Sequence, residues 1–370
     1  MSRTSPLFAA AFLTATLTVS AFSQQLTPAP AVSSAPAPSR LMTLDVVVAP
    51  KSGVPVAGLP QSAFTLLDNG RSEEIKSFRE VKGGATNLQV ILVIDSVNAR
   101  FSTVSYERQE IGKYLLADGG RLAHPTALAI MTDTGIQMQQ GYSTDGKSLN
   151  ESLEQSVIGL REIRRNSGFY GAEERLDDSL RSLNLLIQHE KTVPGRKLVL
   201  WISPGWPLLS GPAVDLSSKQ RTALFRSVVQ TSTELRQAGV TLYNLNPVGV
   251  GEDVGRAFYY QEFLKGVTAP NHVDLGDLGL QVIATQSGGL VDMLNSDVAA
   301  MIRRDVRDAD VYYELSFTPA PGEDKIEYHG LQVKVPDTSL TARTRQGYYA
   351  LPPGVGTDQP IVPPPLPTKR

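Results

Sequence analysis

Apolar and polar residues alternate near the start of the chain. Met42, Leu44, Val46 and Val48 fall on one face and Thr43 and Asp45 on the other, which predicts a half-buried strand. Short strands are expected at 64–67 and 74–78, with Asp68-Asn69-Gly70 turning the chain between them. A β unit over 40–84 is too small to bury a core alone and is expected to pack on its neighbour. The period then changes. Residues 88–94 are almost continuously apolar, the pattern of a strand covered on both faces of a parallel sheet. A helix is expected at about 103–116, a strand at 127–131, and a third, antiparallel strand at 136–141. Leu176, Leu180, Leu183 and Ile187 lie at helical spacing, and Pro194-Gly195 breaks the chain before a buried strand at 197–202. Ser217 and Gln220 form a capping-box signal for a helix carrying Leu224, Val228 and Leu235, which Gly239 closes before a strand at 240–245. A helix through Leu280, Ile283 and Ala284 ends at Gly288, and Ser296 is expected to cap a last helix through Val298, Met301 and Ile302. Strands and helices alternating in this way imply right-handed crossovers and a doubly wound α/β domain over 85–308. Period two returns over 309–351, in Val311, Tyr313, Leu315 and Phe317, then Leu331, Val333 and Val335, then Leu340 and Ala342. This second β unit is expected to pair with the first.

Composition narrows the function classes. The chain has 370 residues and a formal net charge of −2, without the basic surplus expected of a nucleic-acid binder. It contains no cysteine, which excludes disulfides, thiolate metal sites and cysteine nucleophiles. Arg3, the apolar run 7–22 and Ala21-Phe22-Ser23 predict a signal peptide over 1–23, cut before Gln24. The expectation is therefore an exported protein of the periplasm, cell envelope or exterior, with no later segment able to span a bilayer. Residues 24–39 read as a Pro/Ala-rich linker, and 352–370 as a Pro-rich tail.

Catalytic patterns are scarce. His124, His189, His272 and His329 show no metal-ligand spacing, and neither a Gly-x-Ser-x-Gly elbow nor a P-loop is present. The irregular segment 248–277 carries Phe258, Tyr259, Tyr260 and Phe263, and Trp206 follows the strand at 197–202. Aromatics gathered at one sheet edge suit a protein-binding surface as well as a local core, and the pattern leaves both open.

One resemblance joins these pieces. The stretches Leu44-Asp45-Val46-Val47-Val48, Asp68-Asn69-Gly70, Val93-Ile94-Asp95-Ser96-Val97-Asn98, Pro194-Gly195-Arg196-Lys197, Trp201-Ile202-Ser203-Pro204-Gly205 and Arg345-Gln346-Gly347-Tyr348-Tyr349-Ala350 resemble, in order and spacing, the von Willebrand factor A (VWA)-related proteins of acidobacteria. The resemblance covers about residues 40–350. It implies a Rossmann-like VWA domain with a metal-ion-dependent adhesion site at the carboxyl ends of its strands, holding Mg²⁺ or Mn²⁺ through hydroxyls and carboxylates. Asp95, Asn98, Ser167 and Ser203 are the metal-ligand candidates it supplies. Val97 and Ala99 stand where the family has serines, and Pro204 where it has an aspartate, so the site is expected to be degenerate and the cation weak or absent. The expected function is a non-catalytic adhesion module that binds another protein or a surface polymer through Trp206, Tyr259, Tyr260 and Phe263. The alternatives are a metal-dependent hydrolase using Asp95, in which Val97 replaces the second aspartate such chemistry needs, and a structural subunit of an envelope assembly. Asp95 is equally placed to hydrogen-bond the amides of its own loop.

Overall fold

The computed structural model describes residues 41–352 except 52, 83–87, 157–167, 210–214, 250–257, 294 and 324. The expected signal peptide, the linker and the tail from residue 353 lie outside the described residues.

The described chain begins with β1 (Met42–Pro50), β2 (Thr65–Asp68), β3 (Arg71–Glu73) and β4 (Ser77–Val81). Asn69 and Gly70 both adopt positive φ, 48° and 78°. This is a two-residue reversal that pairs Asp68 with Arg71 at once and runs on to Leu66 with Glu73. The strand expected at 74–78 is therefore two strands, because the tight turn starts the pairing early.

The α/β region follows in chain order as β5 (Leu88–Asp95), α1 (Phe101–Leu116), β6 (Arg121–Thr132), β7 (Gly135–Met138), β8 (Ser143–Asp145), α2 (Gly146–Gln155), α3 (Gly168–Glu190), β9 (Arg196–Ile202), α4 (Ser218–Gln237), β10 (Val240–Leu245), α5 (Leu280–Gln286), β11 (Val291–Asp292) and α6 (Val298–Asp308). Its seven-stranded sheet has the order β11-β10-β9-β5-β6-β7, with β8 also on β6. The strands β11, β10, β9, β5 and β6 run parallel, and β7 and β8 run against β6. Ile91 and Val93 of β5 pack with α3, α4 and α5 on one face, and Val90, Leu92 and Ile94 pack with α1, α2 and α6 on the other. The sheet is thus doubly wound. The Ser217–Gln220 capping box forms as the sequence predicts. The last helix is capped by Asp297, one residue beyond Ser296, because the Asp297 carboxylate accepts the Ala300 amide at 2.8 Å.

The chain closes with β12 (Tyr312–Phe317), β13 (Glu327–Lys334), β14 (Leu340–Arg343) and β15 (Gly347–Ala350). These pair with the opening strands in two four-stranded sheets, β14-β1-β12-β4 and β15-β13-β2-β3. One core holds the two sheets together, built from Leu44, Val46, Phe64, Leu66, Tyr313, Leu315, Val333 and Tyr348. The two β units flanking the α/β region therefore form one β sandwich, into which the α/β region is inserted between β4 and β12.

The quoted motifs carry the joints of this arrangement. Tyr348 donates to Asp68 Oδ2 at 2.8 Å, while Tyr349 packs on Phe225 of α4, so the adjacent tyrosines serve the sandwich and the α/β core respectively. Arg196 reaches Asp45 of β1 at 2.7 Å and lies over the Tyr312 ring. Lys197 is buried, and its ammonium donates to the carbonyls of Glu190, Val193 and Ala238, which close α3 and α4. A cation at two helix C-termini is favoured by both helix dipoles. Burial holds the Lys197 pKa below its ordinary value.

Candidate functional site

β5 lies inside the sheet with β6 on one side and β9 on the other, so chain order reverses across it. Ligands of open α/β sheets bind at the carboxyl ends of strands beside such a switch point. Asp95 is the last residue of β5 and is fully buried.

Its carboxylate is occupied by the protein itself. Oδ1 accepts the backbone amides of Val97 at 3.1 Å and Asn98 at 2.9 Å. Oδ2 accepts Asn98 Nδ2 at 2.9 Å, Ser203 Oγ at 2.8 Å and Trp201 Nε1 at 3.3 Å. Five donors meet a group with about four lone-pair directions. The Ser203 hydroxyl, having donated to Asp95, accepts the Gly205 amide at 3.1 Å. Asn98 Nδ2 also donates to Ser179 Oγ on α3 at 2.9 Å, while Asn98 Oδ1 is buried without a partner. Ser167 lies outside the described residues.

A hard divalent cation needs about six oxygen ligands around it. Here the oxygens of Asp95 and Ser203 face N–H and O–H donors, and Val97 and Ala99 are core side chains. Glu107 of α1 is buried near Asp95 with both oxygens unpartnered. Burial, and then the charge of Asp95, push its pKa well above the ordinary value. Among the described residues no three acidic or histidine side chains gather as a metal cage. The described residues around Asp95 do not fit Mg²⁺ or Mn²⁺. The same hydrogen bonds aim both Asp95 oxygens inward, which does not suit a nucleophile.

The four aromatics occupy two settings. Trp206 is 5% exposed and packs edge-on to Trp201, with ring centroids 5.4 Å apart. It belongs to the core over the sheet. Tyr259, Tyr260 and Phe263 share a half-buried 3-10 helix, Tyr259–Phe263, and their rings meet edge to face. The Tyr259 hydroxyl lies where a Cβ on Gly279 would stand, and the Phe263 ring where one on Gly276 would. These contacts dock the helix onto the chain entering α5.

Three apolar side chains at the carboxyl edge were not singled out by the sequence pattern. Phe101 opens α1, Tyr170 lies in the first turn of α3 and Val248 follows β10; they are 59%, 61% and 56% exposed. Each sits just outside a periodic apolar run, and that position was the available signal.

No family model and no curated protein matches the chain. Solved structures with partial likeness include proximal thread matrix protein 1 of the mussel byssus, at TM-score 0.34 and 16% identity over 63% of this chain and 48% of that one. Another is the human COPII-coat protein Sec24c, at TM-score 0.35 and 10% identity over 74% of this chain and 46% of that one. A third is the manganese-loaded Plasmodium vivax TRAP protein, at TM-score 0.28 and 11% identity over 72% of this chain and 96% of that one. The chain spans about half the length of the mussel and human proteins. With TM-scores below 0.5, none of these likenesses carries an argument about function.

Proposed function

We propose that the protein is an exported, VWA-related binding module that catalyses nothing and engages a protein partner by direct apolar packing, without a bridging cation. The observation that supports this most is the Asp95 carboxylate, whose oxygens are filled by the Val97, Asn98, Trp201 and Ser203 donors. A working adhesion site presents that carboxylate to a metal; here it ties β5 to β9 and to the α1 loop. Phe101, Tyr170 and Val248 then supply exposed apolar surface at the same edge, where large side chains carry most of the binding energy of an interface. Among the described residues no helix is long and apolar enough to cross a membrane.

The test is capture of envelope proteins by the full chain in EDTA and in Mg²⁺, beside a Phe101→Ser, Tyr170→Ser, Val248→Ser variant. The same protein should be captured with and without metal and lost in the variant. Capture that requires Mg²⁺ would contradict it.

A further inference from the structure

At the amino edge of the parallel strands, opposite Asp95, a cavity of about 320 Å³ lies between the sandwich and the α/β region. That is at the lower end of small-ligand pockets. Its walls carry Arg196, Arg236, Arg343 and Arg345 against the carboxylates of Asp45 and Glu314. Those carboxylates are already engaged, Asp45 by Arg196 and Glu314 by Arg79 from outside the cavity. Arg343 is held by Asp308 and donates to the Tyr243 hydroxyl at 3.1 Å. Arg345 has no ion pair among the described residues. Its one hydrogen bond there, to the Ser232 carbonyl, is stretched to 3.5 Å. Two further polar atoms of the lining residues, Arg343 Nη1 and Thr344 Oγ1, are buried without a partner.

Arg345 is half-buried. A guanidinium partly taken out of water without an ion pair is costly, and Arg236 beside it adds repulsion that the Asp45 charge offsets only in part. Burial first, and then Arg236, lower the Arg345 pKa to about 10, which leaves it charged at neutral pH. Arginine forks match phosphate and carboxylate oxygens in paired hydrogen bonds. We infer that this cavity binds a small oxyanion of two or more negative charges, held chiefly by Arg345. The ligand class is a phosphate or a dicarboxylate. The site is independent of the carboxyl edge, so either assignment can fail without the other.

The experiment is calorimetric titration and thermal melting of the full chain with inorganic phosphate and with succinate, each against sodium chloride of equal ionic strength. Binding of one anion, with a midpoint that climbs with its concentration beyond the chloride control, is expected, and the anion that acts names the class. Arg345→Met should weaken binding roughly tenfold or more, as losing a hydrogen-bonded charge does. Arg345→Lys, which keeps the charge and loses the fork, should fall between and serves if the methionine variant does not fold. A midpoint that follows chloride alone, or equal affinity in the folded Arg345 variants, would overturn the assignment.

Discussion

The Ser203 hydroxyl donates to the Asp95 carboxylate at 2.8 Å across 108 residues of sequence, joining the carboxyl ends of neighbouring strands β9 and β5. Because Asp95 also accepts from Val97, Asn98 and Trp201, it acts as a buried structural clamp. Asp95→Ala should strand several buried donors and cost roughly 3 kcal/mol or more. Urea unfolding measures this. A variant as stable as wild type would show that the hydrogen bonds matter little.

The sandwich makes a parallel prediction. Tyr348 donates to Asp68 Oδ2 at 2.8 Å and its hydroxyl accepts the Ala320 amide at 2.9 Å. Tyr348→Phe should cost about 1–3 kcal/mol by leaving buried polar groups unpaired. Denaturant melts of the two proteins compare the cost directly.

A pH effect follows from Asp277. Burial, opposed by the Asp274 amide that donates to it, pushes its carboxyl up to about 7 from an ordinary 3.8. Between about pH 4 and about 7 the folded state keeps a proton that the unfolded state has lost. Its contribution is therefore fully present below pH 4 and is lost as pH rises towards and past 7. Asp277→Asn should flatten the stability-against-pH curve over that window. An unchanged slope in the variant would remove Asp277 as its source.

Much of this fold was legible from local pattern. The alternation of Met42, Leu44, Val46 and Val48 reads directly as β1, and Ser217 with Gln220 as the start of α4, because each signal lies within a few residues. Helix α2 escaped notice because Leu149 and Leu153 are its only large buried apolar residues. The place of Asp95 at a strand end was legible, and the resemblance set Asn98 and Ser203 beside it as fellow ligands; that Ser203 and Trp201 donate to it instead was not legible, since no local pattern links the hydrogen bonds of positions so far apart. The burial of Trp206 was hidden for a similar reason. Gly205, at φ 107°, lets the chain turn at the strand end, and Trp206 packs on Trp201.

The carboxyl edge yields a fourth mutational prediction. Phe101 and Tyr170 are mostly exposed, so Phe101→Ser and Tyr170→Ser should each leave the thermal midpoint nearly unchanged. If that edge docks a partner, each change should weaken binding by on the order of 2 kcal/mol. A lowered midpoint would show that these rings support the fold.

Whether the internal hydrogen bonds of Asp95 leave room for a cation is decided by titrating Mn²⁺ into the protein and reading free Mn²⁺ by its paramagnetic resonance signal. No site tighter than about millimolar is expected, the behaviour of a hard cation without a proper oxygen shell. A tight stoichiometric site that disappears in Asp95→Ala would contradict it.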